Sequence, residues 1–188
     1  MDAITLLKDD HRKVKELFSK YERAGNRAFA TKKKLVDKIT EELSVHAAIE
    51  EQVFYPSVRE AIVETEDDVL ESLEEHHIVK WTLSELEKME PQDERYDAKV
   101  TVLIESVRHH IGEEEQDMFP KVRKALTRTQ LSELGDLMER AKLAAPTRPH
   151  PRAPEEPPGN VIGGPVLAML DAGKEAVKKV TGRGKKAS

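Results

Sequence analysis

The chain has 188 residues, of which 36% are charged and 4% aromatic, with 31 Lys/Arg against 36 Asp/Glu for a net charge of −5. That length suits one domain of ordinary size plus an appendage, and the shortage of aromatic and β-branched runs argues against a strand-rich fold. There is no cysteine, which excludes disulfides, thiolate metal sites and a cysteine nucleophile, so any metal must be held by His, Glu or Asp.

The opening MDAITLLKDDHRKV has no basic region leading into an apolar stretch, and no segment reaches the roughly 18 uninterrupted apolar residues of a membrane span. The expected location is therefore cytoplasmic. Residues 1–143 hold 23 basic against 32 acidic side chains, whereas the remainder holds eight against four. An acidic body argues against nucleic acid as its partner.

In chain order, the first amphipathic stripe is Ile4, Leu7, His11, Val14, Phe18 and Tyr21, ending near Gly25 and Asn26. The second is Leu35, Ile39, Leu43, His46, Glu50 and Val53, until Pro56 removes a backbone donor and bends or interrupts the helix, which resumes to about Glu64. The third is Val69, Leu73, His76, Val79, Leu83 and Leu86, stopped by Pro91; the fourth is Val100, Leu103, Val107, His110, Glu114 and Met118. A short fifth helix is expected over Thr129 to Leu143. Four such helices on short loops predict an all-α, up-down-up-down four-helix bundle spanning 1–143. Residues 144–165 are rich in proline and glycine and read as a linker. Within the basic tail, 166–188, Val166 to Val180 form a candidate amphipathic helix suited to a protein or membrane-surface contact.

One phrase occurs twice. HAAIEEQVFYPSVREAI from His46 aligns without gaps on HIGEEEQDMFPKVRKAL from His110, matching His46/His110, Glu50/Glu114, Glu51/Glu115 and Pro56/Pro120. The odd helices repeat as well: DDHRKVKELFSKY from Asp9 aligns on EEHHIVKWTLSEL from Glu74, matching His11 to His76 and Lys15 to Lys80. This register favours His76 over its neighbour His77 as the inward histidine and leaves His77 open.

Residues four apart lie one above the other on a helix, so His46 with Glu50 and His110 with Glu114 are chelating pairs. With His11 and His76 they make four imidazoles and two carboxylates, more than one zinc needs and suited to two first-row metal ions. Leaving such groups unpaired in an apolar core costs on the order of a few kcal/mol each. A single histidine on an apolar stripe is ordinarily a hydrogen-bonded core residue. Six ligand-type groups, repeated by duplication across four stripes, call for metal.

On these residues and the phrases EEQVFYP and EEEQDMFP, the chain resembles the hemerythrin-like family in its HHE cation-binding branch, over about residues 1–126. The resemblance implies a bundle around a non-haem diiron centre, oxo- or hydroxo-bridged, with manganese the lesser option. It implies ligands His11, His46, Glu50, His76 or His77, His110 and Glu114. Oxygen-carrying hemerythrins have HxxxH on the third helix and HxxxxD on the fourth. Here His76 is followed four later by Lys80, His77 by Trp81, and His110 five later by Glu115. Fewer imidazoles leave positions for O2, peroxide or nitric oxide, so sensing or peroxide decomposition is expected over reversible carriage. Alternatives are an iron- or redox-gated module acting through the tail, and minor iron buffering. Tyr55, replaced by Phe119 in the second copy, is a candidate to tune the site; Glu51 and Glu115 are expected behind the ligands or at the surface; Trp81 is expected at the core or bundle edge, and His109 and His150 in solvent.

Overall fold

The computed structural model describes residues 1–154. All regular structure among them is helical: α1 (Ala3–Glu22), α2 (Phe29–Ile49), α3 (Tyr55–Ala61), α4 (Glu66–Leu86), α5 (Tyr96–Glu113), α6 (Phe119–Ala125) and α7 (Arg128–Lys142). α1 packs on α2 and α4 on α5, while α2 meets α4 and α1 meets α5, closing the four-helix ring. The fold class read from the stripes is the fold observed. No helix of the described residues is long and apolar enough to cross a membrane. The candidate helix at Val166–Val180 and the linker beyond Pro154 lie outside the described residues.

Side-chain caps account for the starts of α1 and α7. Asp2 accepts a hydrogen bond from the Thr5 backbone N–H at 3.0 Å and so opens α1. Thr127 and Gln130 form a reciprocal capping box that opens α7. The sharpest local feature falls at both copies of the repeated phrase, where α2 and α5 each widen into one π turn, Glu50–Phe54 and Glu114–Met118. The Tyr55 N–H reaches back to the Glu50 carbonyl and the Phe119 N–H to that of Glu114, each spanning five residues. Pro56 and Pro120 follow at once, and neither has an N–H to give to an ordinary i→i−4 bond. The expected interruption near Pro56 thus takes the form of a wide turn just before it, after which the helix resumes as α3 to Ala61, followed by a 3₁₀ turn at Val63–Thr65.

The apolar interior is divided in two. One cluster gathers Ile4, Leu7, Ile49, Phe54, Tyr55, Val58, Leu73, Met118 and Phe119, and α7 covers it with Leu131, Leu134 and Met138. The other gathers Val14, Phe18, Ile39, Leu43, Val79, Leu83, Val100, Leu103, Val107 and Ile111. Along each helix the ligand-type residues fall between the two, as His11 does between Leu7 and Val14. α7 lies so close to the N-terminus that a Cβ on Gly135 would stand 2.0 Å from the Met1 carbonyl oxygen.

Candidate metal centre

The polar layer between the clusters consists of His11, His46, Glu50, His76, His110 and Glu114, each at most 5% exposed. Their ligand atoms form two overlapping groups, His11/His46/Glu50/Glu114 and Glu50/His76/His110, with all atoms of a group within 4.8 Å of one another. His76 Nε2 and His110 Nε2 face each other at 3.1 Å. Glu50 Oε2 lies 3.1 Å from His46 Nε2 and 3.4 Å from His76 Nε2, and Glu114 Oε2 lies 3.1 Å from His11 Nε2. Several of these approaches are close without hydrogen-bond geometry. His11 Nε2, both nitrogens of His46, both oxygens of Glu50 and Glu114 Oε2 have no hydrogen-bond partner among the described residues. Buried lone pairs gathered in this way are costly unless something positive lies between them, and a nitrogen- and oxygen-donor set suits first-row cations. The residues present therefore fit a metal pair.

Of the two third-helix candidates, His76 is buried in the layer and His77 is exposed. The remaining expected ligands all meet there.

Behind the layer stands a set of carboxylates. Glu115 Oε1 lies 2.9 Å from His11 Nδ1, Glu51 Oε1 3.0 Å from His76 Nδ1, and Glu75 Oε2 2.8 Å from His110 Nδ1. An acceptor at Nδ1 holds the proton there and leaves Nε2 as the donor turned inward, the usual support of a ligating histidine. Lysines complete two of these lines: Lys15 Nζ donates to Glu115 at 3.1 Å, and Lys80 Nζ to Glu51 at 3.0 Å. The two are duplicates of each other, and both cross between the halves, since each half's glutamate holds the other half's histidine. They differ in setting. Lys80 and Glu51 are both buried, whereas the Lys15 side chain is 45% exposed.

Sequence reasoning did not find the lysines, although Lys15/Lys80 and Glu51/Glu115 are identities of the repeat and carried the signal. Glu75 aligns with Asp10 in the odd-helix repeat, but the two acids do different things: Glu75 supports His110 while Asp10 pairs with Lys13 and Lys142, so the repeat gave no sign of its role.

The π turn explains Tyr55. In an unbroken α-helix a residue five after Glu50 would sit about 140° round the axis from it, facing away from the layer. The extra residue in the turn brings position five back over position zero. The Tyr55 hydroxyl accordingly donates to Glu114 Oε1 at 3.0 Å and lies 3.5 Å from His76 Nε2. Phe119, its counterpart, stacks on His11 with ring centroids 5.8 Å apart. Trp81 is 46% exposed, at the bundle edge, and both His109 and His150 are exposed.

Charge follows burial. Burial together with the neighbouring Glu114 pushes the Glu50 carboxyl well above its usual range, so Glu50 holds the proton of this carboxylate pair. Burial also opposes a charged Glu114, but the adjacent imidazoles of His110, His11 and His46 outweigh it and keep Glu114 ionised. Burial and the nearby His11 push His46 well below its usual value, and burial lowers His76 despite Glu51. Burial pushes the Tyr55 phenol up, so it stays a neutral donor.

On the far side of the imidazoles from Tyr55 lies a cavity of about 20 Å³, touched by all four histidines and walled by Val14, Leu43, Ala47, Val79, Val107 and Ile111. It has room for one very small molecule.

Residues 2–122 match the hemerythrin HHE cation-binding domain. An uncharacterised hemerythrin-like protein of Schizosaccharomyces pombe is 29% identical over 171 residues, covering 90% of this chain and 83% of that protein. A DNA nickase of Nostoc is 26% identical over 142 residues, 76% of this chain but only 39% of the nickase. Among solved structures, a hemerythrin HHE cation-binding domain-containing protein from Mycobacterium kansasii superposes with a TM-score of 0.64 at 26% identity, over 77% of this chain and 89% of that one.

Proposed function

Because the chain belongs to the hemerythrin HHE cation-binding family, we propose that its buried layer holds two iron ions that bind or react with O2, peroxide or nitric oxide. One observation carries this: four imidazoles and two glutamates converge, and His11 Nε2, both nitrogens of His46, both oxygens of Glu50 and Glu114 Oε2 have no hydrogen-bond partner among the described residues. His11, His46 and Glu114 would hold one ion, His76 and His110 the other, with Glu50 shared between them. When bound, iron supplies redox chemistry and open positions for a small ligand.

The chain's own residues limit what that ligand is. The cavity beside the imidazoles is apolar on its outer wall and too small for any organic substrate, which favours diatomic molecules and peroxide. Tyr55 holds a proton at its Oη, at the edge of the layer. Lys80, four residues after His76, is engaged with Glu51 and so supplies no ligand in place of the second histidine an oxygen carrier has there. Sensing or turnover is favoured over reversible carriage for that reason.

Metal analysis and optical spectra before and after O2, peroxide and nitric oxide test the proposal. About two irons per chain, and a spectrum altered by at least one of the three, are expected. Iron-replete protein that retains only trace metal, with His110→Ala changing neither metal content nor melting, would sink it.

A further inference from the structure

The chain contains a third HxxxE pair, set one residue before the fourth-helix ligands. His109 and Glu113 lie on the outside of α5, with His109 Nε2 3.2 Å from Glu113 Oε1. Glu75 of α4 reaches across to them, its Oε1 4.0 Å from His109 Nε2. One ligand atom from each of the three lies within 4.8 Å of the others. His109 and Glu113 are open to solvent, at 65% and 41% side-chain exposure, while Glu75 is at 22%. The two oxygens of Glu75 face in different directions: Oε1 toward this group, and Oε2 to His110 Nδ1 at 2.8 Å. A single carboxylate thus joins a solvent-facing donor set to a ligand of the buried layer.

We propose that Glu75, His109 and Glu113 form a surface position for a divalent first-row cation, through which metal is captured and passed to the buried pair. The position rests on the diiron proposal for its destination, though not for its own binding. One nitrogen and two carboxylate oxygens suit Fe2+, Mn2+, Co2+ or Zn2+, and leave the remaining positions to water. Three partly solvated donors hold a cation more weakly than the enclosed layer, so transfer inward is downhill. The buried ligands are almost fully enclosed, and a cation must cross the wall of the bundle to reach them. The seam between α4 and α5 is a place where ligand-type side chains line both sides of that wall, with a chelating pair on the outer side. The neighbouring ligand pair, His110 and Glu114, repeats the same spacing one residue on, so the cation moves between two similar chelates.

The test uses full-length, metal-free protein and Co2+, whose visible spectrum reports its ligands. A variant carrying both His109→Ala and Glu113→Gln alters only exposed side chains and leaves the six buried ligands and Glu75 intact. Wild type is expected to take three Co2+ per chain, the weakest of them lost in the variant. Stopped-flow loading of the remaining two is expected to slow about tenfold, the scale of effect seen when outer partners of a metal site are removed. If wild type and variant both take two ions at the same rate, the surface position is overturned while the buried pair stands. If wild type takes one ion and the variant none, the buried pair fails and the surface position is upheld. A third ion that survives the double substitution overturns the assignment, and unchanged loading despite its loss overturns the route.

Discussion

The ligand layer is held by side chains that carry opposite charges at very different depths. Lys80 and Glu51 are a buried pair; removing one partner of such a pair leaves an uncompensated charge and costs about 3 kcal/mol or more. Lys15 and Glu115 stand nearer solvent, where a pair contributes under about 1 kcal/mol. Lys80→Met is therefore expected to lower the melting temperature clearly and Lys15→Met hardly at all, although the two lysines are duplicates; equal effects by thermal unfolding would refute the difference in depth. Glu50 gives a sharper contrast. Its folded carboxyl titrates above the ordinary 4.5, so its contribution to stability is present below that pH and is lost as pH rises toward the folded value. Metal-free Glu50→Gln should then melt higher than metal-free wild type at pH 7 and match it near pH 4.5, yet gain nothing when metal is added. That His46 with Glu50 and His110 with Glu114 meet in the buried layer was legible because a helix places residues four apart together, and the repeat brought His11 and His76 with them. Tyr55 was not settled by spacing, since its inward position exists only through the π turn.

Between elements, the two wide turns matter more than helix length. They carry the chain past Pro56 and Pro120 while turning Phe54, Tyr55, Met118 and Phe119 into the cluster that supports the layer from below. Hydrophobic periodicity located α1, α2, α4 and α5, and the duplication paired them correctly. The turns were illegible for a physical reason: proline shows that an ordinary hydrogen bond is missing, but not whether the chain bends, stops or widens to accommodate the loss. Helix α7 lies beyond the family's matched span and closes this end by packing on α1 and α2. Its contact with the N-terminus depends on Gly135, because the atoms a Cβ would meet are backbone and cannot swing aside. Gly135→Ala is expected to cost about 1–3 kcal/mol and to expose α7 to limited proteolysis while metal content is kept. A variant that digests like wild type would show that the close approach is unimportant.

Across the whole molecule, a polar layer separates two apolar clusters, so the bundle is weakest at its middle when metal is absent. Ions that bind the folded chain alone add their binding free energy to its stability. Hydrogen exchange should show residues near His46 and His110 protected strongly in metal-loaded protein and much less after chelation, with the region around Leu83 and Val100 changing little. Uniform protection in both forms would argue against a metal-braced waist. Metal must also displace the Glu50 proton, so affinity is expected to rise with pH, and calorimetry in buffers of different ionisation enthalpy should detect the proton released. The crossed lines from Glu115 to His11 and from Glu51 to His76 carry one more consequence. Neither half of the chain contains the carboxylate that steadies its own odd-helix histidine, so a half alone is an incomplete object. Two identical halves facing each other across a twofold axis would complete one another. The present chain has the construction of such a dimer joined end to end, and the joining frees its faces to differ, as tyrosine opposite phenylalanine and a buried lysine opposite an exposed one already do.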